Sequence, residues 1–259
     1  MSAPARRPGA GKEAALDSPG YIMLSRLGAQ LRSTQVLANN LANADTPGFR
    51  AERAVFAEFL QPRAGDAPPG DRGPAYAIDR ATWRDTAAGA ISTTGNPFDL
   101  ALKGDGFFAV ETPRGERYTR AGRFVLAGDG KLTDAEGNAV LDARGTPVVL
   151  GPNDTRVEVR GDGSVHSENG PIGQLRVVRF DDPQKLRAEG ARLYASDEPG
   201  VASERPGVVQ GAVEGSNVQP VVELTTLTAQ MREFQFATQF VEREGERLQS
   251  AVERILRRR

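Results

Sequence analysis

Apolar residues recur at steps of three and four through the last forty-odd residues of the chain. From Leu224 the series runs Leu227, Met231, Phe234, Thr238, Val241, Gly245, Leu248, Val252 and Ile255, and eight of these ten positions are apolar. A repeat near 3.5 residues is the seam of a coiled coil rather than of a short globular helix. The remaining surface carries Arg232, Glu233, Glu242, Arg243, Glu246, Arg247, Glu253 and Arg254, so it is solvated and no membrane span is expected. Ser216 and Gln219 stand at capping-box spacing ahead of Pro220, which suits a first helical turn. Segment 216–259 is therefore read as holding one coiled-coil helix of roughly 35 residues, about 50 Å long. Phe236 and Phe240 lie off the seam and widen the apolar face beyond what one partner helix would cover.

A second stripe with the same spacing lies near the other end: Leu24, Leu27, Leu31, Thr34, Ala38 and Leu41. It predicts an amphipathic helix over 20–43. Thr46-Pro47-Gly48 ends it, because the residue before proline avoids the helical region and glycine permits a turn. Phe49 to Leu60 is ambiguous between helix and strand, and with the helix it makes a segment 19–60. Residues 1–18 hold Ala, Pro, Gly and charge without apolar period, and are expected to be disordered. Residues 61–75, QPRAGDAPPGDRGPA, read as a linker or loop.

From 76 to 215 the period becomes two. Asp99–Lys103, Phe107–Thr112, Arg117–Arg120, Arg123–Ala127, Lys131–Asp134, Pro147–Leu150, Arg156–Arg160, Ser164–Ser167 and Gln174–Phe180 are short strand candidates divided by turn residues. Leu186–Leu193 reads as a short helix or turn before a last strand near Gly207–Val213. The fold class is mainly β: a central antiparallel domain, flanked by terminal helices that pack as a coiled coil.

Composition narrows the chemistry. The 33 basic and 34 acidic side chains give a net charge of −1, so no global field favours nucleic acid or an anionic membrane. Cysteine is absent, which removes disulfides, thiol nucleophiles and thiolate metal sites. The opening residues are basic but contain no apolar h-region, so no secretory signal peptide is expected. Gly-Asp-Gly occurs at 104–106, 128–130 and 161–163. GDGFFA at 104–109 matches a loose dinucleotide pattern, but strand-like Phe-Phe-Ala-Val follows where a helix would have to start. Tight turns explain all three better. His166 is the only histidine and has no nucleophile or metal-ligand partner nearby in sequence. No catalytic set, cofactor site or metal site is assigned.

Asn39, Asn40 and Asn43 crowd the end of the first helix, with Asn39 and Asn43 on one face at i, i+4 spacing. They serve either as simple helix termination or as register-fixing amides in a helical interface. ANNLANADTPGFRAE (38–52) is similar to the N-terminal signature of bacterial flagellar rod and hook proteins. TGNPFDLALKGDGFFAVETPRGERYTRAGRFVLAGDGKL (94–132) and DGSVHSENGPIGQLRVVRF (162–180) resemble the central region of that family, and EGSNVQPVVELTTLTAQMREFQ (214–235) its C-terminal helix start. Within the family the likeness is greatest to the F-type, proximal rod branch, with the distal rod branch the alternative.

That resemblance implies a structural, non-enzymatic axial subunit of the flagellar basal body. It would be exported by the flagellar type III apparatus without a cleaved signal and assembled in the periplasm with itself and other rod subunits. It implies no cofactor, nucleic acid, small-molecule substrate or membrane span. Its helices would form an inner tube transmitting torque, with the β domain outside. The expected subunit interface is Leu24, Leu27, Leu31, Ala38, Asn39, Asn40, Leu41 and Asn43 from the first helix. From the second it takes Leu224, Leu227, Met231, Phe234, Val241, Leu248, Val252 and Ile255. A non-enzymatic β-domain binding module is the weaker alternative.

Overall fold

The structure, a computed structural model, describes residues 18–60, 75–190 and 192–257. The expectations for 1–17 and 61–74 lie outside those residues. The fold is mainly β with a helix near each end. Helix α1 spans Ser18–Ala42 and α2 spans Pro220–Leu256. Between them lie β1 (Glu52–Leu60), β2 (Ala75–Arg84), β3 (Ile91–Thr93), β4 (Leu100–Leu102), β5 (Phe107–Thr112), β6 (Gly115–Thr119), β7 (Val125–Leu126), β8 (Leu132–Thr133) and β9 (Ala139–Val140). The series continues with β10 (Val157–Val159), β11 (Ser164–Ser167), β12 (Gly170–Gln174), β13 (Val177–Arg179), β14 (Arg187–Glu189), β15 (Leu193–Ala195), β16 (Val201–Ala202), β17 (Val208–Gln210) and β18 (Ala212–Glu214). The described residues fall into two compact units, one of 18–38, 53–60, 75–83 and 224–257, the other of 39–52, 84–190 and 192–223.

The second unit is the β domain. Its main sheet runs β14-β15-β6-β5-β9-β8-β7, and β13 pairs with both β5 and β16. Every one of these pairings is antiparallel, as the short turn-divided strands predict. A three-stranded sheet β10-β11-β12 and the pairs β4–β17 and β3–β18 complete it. Phe108 and Phe124 meet edge to face at 5.3 Å in the centre. Leu100, Leu102, Val110, Val140 and Val165 pack around them, fully buried. Each such aromatic pair adds about 1 kcal/mol beyond its area. A smaller cluster joins Tyr118, Val178, Leu186 and Tyr194 to Phe107 and Phe180.

Several local expectations change. The ambiguous stretch before residue 60 is strand from Glu52, and β1 pairs with β2. Leu186–Leu193 is neither helix nor simple turn: a 3-10 turn at Pro183–Lys185 precedes β14, and Glu189 pairs back onto Leu193 across Gly190. Pro147–Leu150 gives only isolated bridges, Leu141 with Pro147 and Lys131 with Val149, since proline has no N–H for a ladder. The Gly-Asp-Gly tripeptides are turns. Gly130 and Gly163 adopt φ near +82°, and the Asp129 and Asp162 carboxylates accept from the backbone N–H two residues on. Phe107, which follows the first of them, opens a strand.

The other unit holds most of both helices. At 37 residues α2 is about 55 Å long. It starts with Pro220 at its first position; Ser216 is not its cap, because the Ser216 hydroxyl accepts from Val218 N in a local turn. On α1 the inward face is Leu27, Gln30, Thr34 and Leu37, whereas Leu24 and Leu31 are 60 % and 54 % exposed. The hydrogen bonds described between the helices are polar and local. Gln30 Nε2 donates to Gln230 O at 2.6 Å, and Gln230 Nε2 to Ser33 Oγ at 2.8 Å. No described helix is long and apolar enough to cross a membrane.

Candidate functional site

The densest set of buried polar contacts lies where α1 ends and α2 begins, within the β-domain unit. α1 stops because Thr46-Pro47 cannot continue it. The turn that follows is held by Thr46 N donating to Asn43 O and Phe49 N donating to Thr46 O. Gly48 has φ +70°, and a Cβ there would sit 2.4 Å from the Arg120 carbonyl carbon. Only glycine fits both the backbone and the space. Gly48 N then donates to Glu214 O at 2.8 Å, which ties the turn to β18. Phe49 and Ala51 are buried against Val218, just before α2.

Three side chains do most of the tying. Asn40 is fully buried; its amide nitrogen donates to Glu52 O at 2.8 Å and its oxygen accepts from Glu52 N at 2.9 Å. One side chain thus satisfies both backbone groups of the residue that opens β1. The same amide nitrogen lies 3.5 Å from Oε2 of Glu223, in the first turn of α2. Asn217 does the equivalent from the other end: its oxygen accepts from Ala51 N at 2.7 Å, and its nitrogen donates to Asp85 O and Ala87 O. Glu214 is the third. It is 1 % exposed and takes Arg50 Nη2 at 2.8 Å and Arg120 Nε at 2.5 Å, while Gly89 N also donates to it. The Arg120 fork is completed by the carbonyls of Gly106, Leu102 and Gly104. Burial, and then the Arg120 charge beside it, hold the Arg50 guanidinium below its ordinary pKa despite Glu214.

The asparagines therefore divide. Asn40 is the buried clamp. Asn39 is exposed and Asn43 half-buried, and the two bond each other, Asn43 Nδ2 to Asn39 Oδ1 at 3.1 Å. Of the other expected interface residues, Leu27, Leu41, Leu227 and Val241 are half-buried, and Leu24, Leu31, Ala38, Leu224, Met231, Phe234, Val252 and Ile255 are exposed. Leu248 belongs to α2, with its side chain outside the description. Arg50, Arg120, Glu214 and Asn217 were not singled out from sequence. The visible signal is that Arg50, Glu214 and Asn217 lie within the stretches 38–52 and 214–235 that carry the family resemblance.

This arrangement is a structural joint with no reacting group at its centre. His166 pairs across to Glu158 in the β10–β11 ladder, and no cluster of metal-binding side chains occurs among the described residues. Three family models match the chain in order. Residues 21–50 match the flagella basal body rod protein family, 101–167 the D1 domain of the flagellar hook protein FlgE/F/G group, and 209–254 the C-terminal region of flagellar basal body rod FlgEFG proteins. The flagellar basal-body rod protein FlgF of Mesorhizobium japonicum is 35 % identical over 83 % of this chain and 88 % of its own length. FlgF of Caulobacter vibrioides is 33 % identical over 93 % of this chain and 98 % of its own, and FlgF of Rhizobium meliloti 32 % over 91 % and 96 %. The first and third matched regions include the helical root itself, Asn40 to Arg50 and Glu214 to Glu223. The chain belongs to the flagellar basal-body rod protein family, a structural family and not one of enzymes.

Proposed function

We propose that this chain is a structural subunit of the proximal part of the flagellar rod, built into a helical shaft through its terminal helices. The observation that carries this is the contrast in finish between root and helices. Asn40, Asn217 and Glu214 of the root bond groups of the same chain, whereas α1 and α2 expose Leu24, Leu31, Leu224, Met231, Phe234, Val252 and Ile255. Exposed apolar rows on that scale mark surfaces that other chains cover. Head-to-tail repetition of an unclosed contact yields a filament. In the shaft the helices of adjacent subunits pack as a coiled coil, and torque passes along that inner tube. Export proceeds through the flagellar type III apparatus, and the assembled position is the periplasmic rod. The F-type names of three relatives favour the proximal position over the distal one.

Electron microscopy of basal bodies tests this reading. A strain lacking the gene is expected to give rods arrested before the hook, restored by the full chain but not by one missing residues 224–256. Complete hook–basal bodies in the deletion strain would overturn it.

A further inference from the structure

Beyond Val241 the surface of α2 sorts by charge as well as by hydropathy. One step along the chain from the apolar seam runs a row of Glu242, Glu246, Gln249 and Glu253. One step further runs Arg243, Arg247, Ser250, Arg254 and Arg257. Both rows keep the three-four spacing, so each holds its own face, about 100° from the other around the helix. The charged members are all exposed, and from Glu242 to Arg254 the rows extend about 18 Å. Inside the chain they do not pair with each other. Adjacent residues on a helix point apart, and Arg243 with Glu246 and Glu253 with Arg257, which stand at pairing distance in sequence, close no ion pair. Among the described residues, Arg247 is the one member held in an ion pair, with Glu244, which lies outside both rows. Within each row like charges stand four apart, Glu242 with Glu246 and Arg243 with Arg247, a spacing that weakens a lone helix. A row of opposite charge laid alongside removes that cost.

We propose that the acidic row of one α2 packs against the basic row of α2 in a second copy of the chain, the two helices pointing the same way. This rests on the reading of the chain as a shaft subunit. The rows differ by one residue, so a slide of about 1.5 Å between parallel helices brings Glu242, Glu246 and Glu253 level with Arg243, Arg247 and Arg254 of the next copy. Carboxylate and guanidinium are suited to each other through paired N–H donors. The contact uses a different face on each side, so every added copy presents a fresh row, as an open filament requires. Each exposed pair is weak alone and screened by salt, and the rows act by repetition. They select the side and register on which copies associate, while the apolar seam, on its own face, supplies the burial.

Charge exchange in a strain lacking the native copy tests the pairing, with swimming through soft agar as the readout. Glu242→Arg with Glu253→Arg, and separately Arg243→Glu with Arg254→Glu, set like charges face to face and are each expected to cut the swimming ring by at least half. All four substitutions together exchange the charges, restore opposite pairing and are expected to return the ring to the wild-type size. Within one helix Glu242→Arg meets Glu246 and Arg243→Glu meets Arg247, so like-charge contacts are removed there. Far-UV circular dichroism of the purified chains should accordingly show no loss of helix. Wild-type swimming by either reversed strain overturns the proposal, and so does a fourfold exchange that swims no better than the reversals. The shaft reading fails separately. Complete hook–basal bodies in the strain lacking the gene overturn that reading, whereas arrested rods there, with normal swimming by the reversed strains, overturn the row pairing alone.

Discussion

The helical root and the helices that leave it are finished to different standards. At the root, Asn40, Asn217 and Glu214 each bind two or more groups of the same chain, and all of those groups are brought together from distant sequence. Along α2, Met231 and Val252 are 53 % and 55 % exposed. Buried polar groups are costly unless paired, and these contacts of the root pair them within one chain. Apolar exposure costs less per residue and is removed by association. The comparison suggests a division of labour. The root is held by bonds within the β-domain unit, and the helices keep an apolar surface that the proposed assembly would cover.

The sharpest way to break the first half of that contrast is at Glu214. Glu214→Gln leaves two buried arginines without a carboxylate and is expected to destabilise by about 3–5 kcal/mol, read as a lowered urea midpoint with an unchanged slope. Next is Gly48→Ala, which adds a methyl against the Arg120 backbone in a left-handed conformation. A loss of about 2–3 kcal/mol is expected in the same titration, and a loss below about 0.5 would mean that the turn is not held as described. Asn40→Ala should cost about 2 kcal/mol by orphaning both backbone groups of Glu52, whereas Asn39→Ala stays within about 0.5. Equal effects would erase the distinction between them.

The smallest effect lies in the turn between β11 and β12. Glu168 is pulled down to about 2, first by the Thr155 hydroxyl and then by backbone N–H groups. A depressed carboxylate stabilises above its unfolded value and loses that contribution as pH falls through the folded one. Melting temperatures of wild type and Glu168→Gln should therefore differ at pH 5 and converge toward pH 2. A constant gap would contradict the assignment.

Much of the architecture was legible because it rests on local period. Steps of three and four announced α1 and α2, and alternation with Asp-Gly turns announced the β domain. The face of α1 was less legible. The spacing ran Leu24, Leu27, Leu31, Thr34, Ala38 and Leu41, yet the buried members of α1 are Gln30, Leu37 and Asn40, and the two polar ones are buried because their side chains satisfy backbone groups that no periodicity describes. For the same reason the i, i+4 pair Asn39 and Asn43 drew attention away from Asn40. The Arg120–Glu214 pair, 94 residues apart, could not be read at all, since sheet register alone brings it together. Ser216 had the spacing of a cap but not the role, because Pro220 places the helix start later.

The most direct measurement is swimming through soft agar by a strain whose only copy carries Met231→Ser with Val252→Ser, the purified variant being shown to melt with the wild type. Since both side chains are already more than half exposed in the single chain, the account predicts unchanged melting and lost swimming. Wild-type swimming would show that the exposed row is not covered by other subunits.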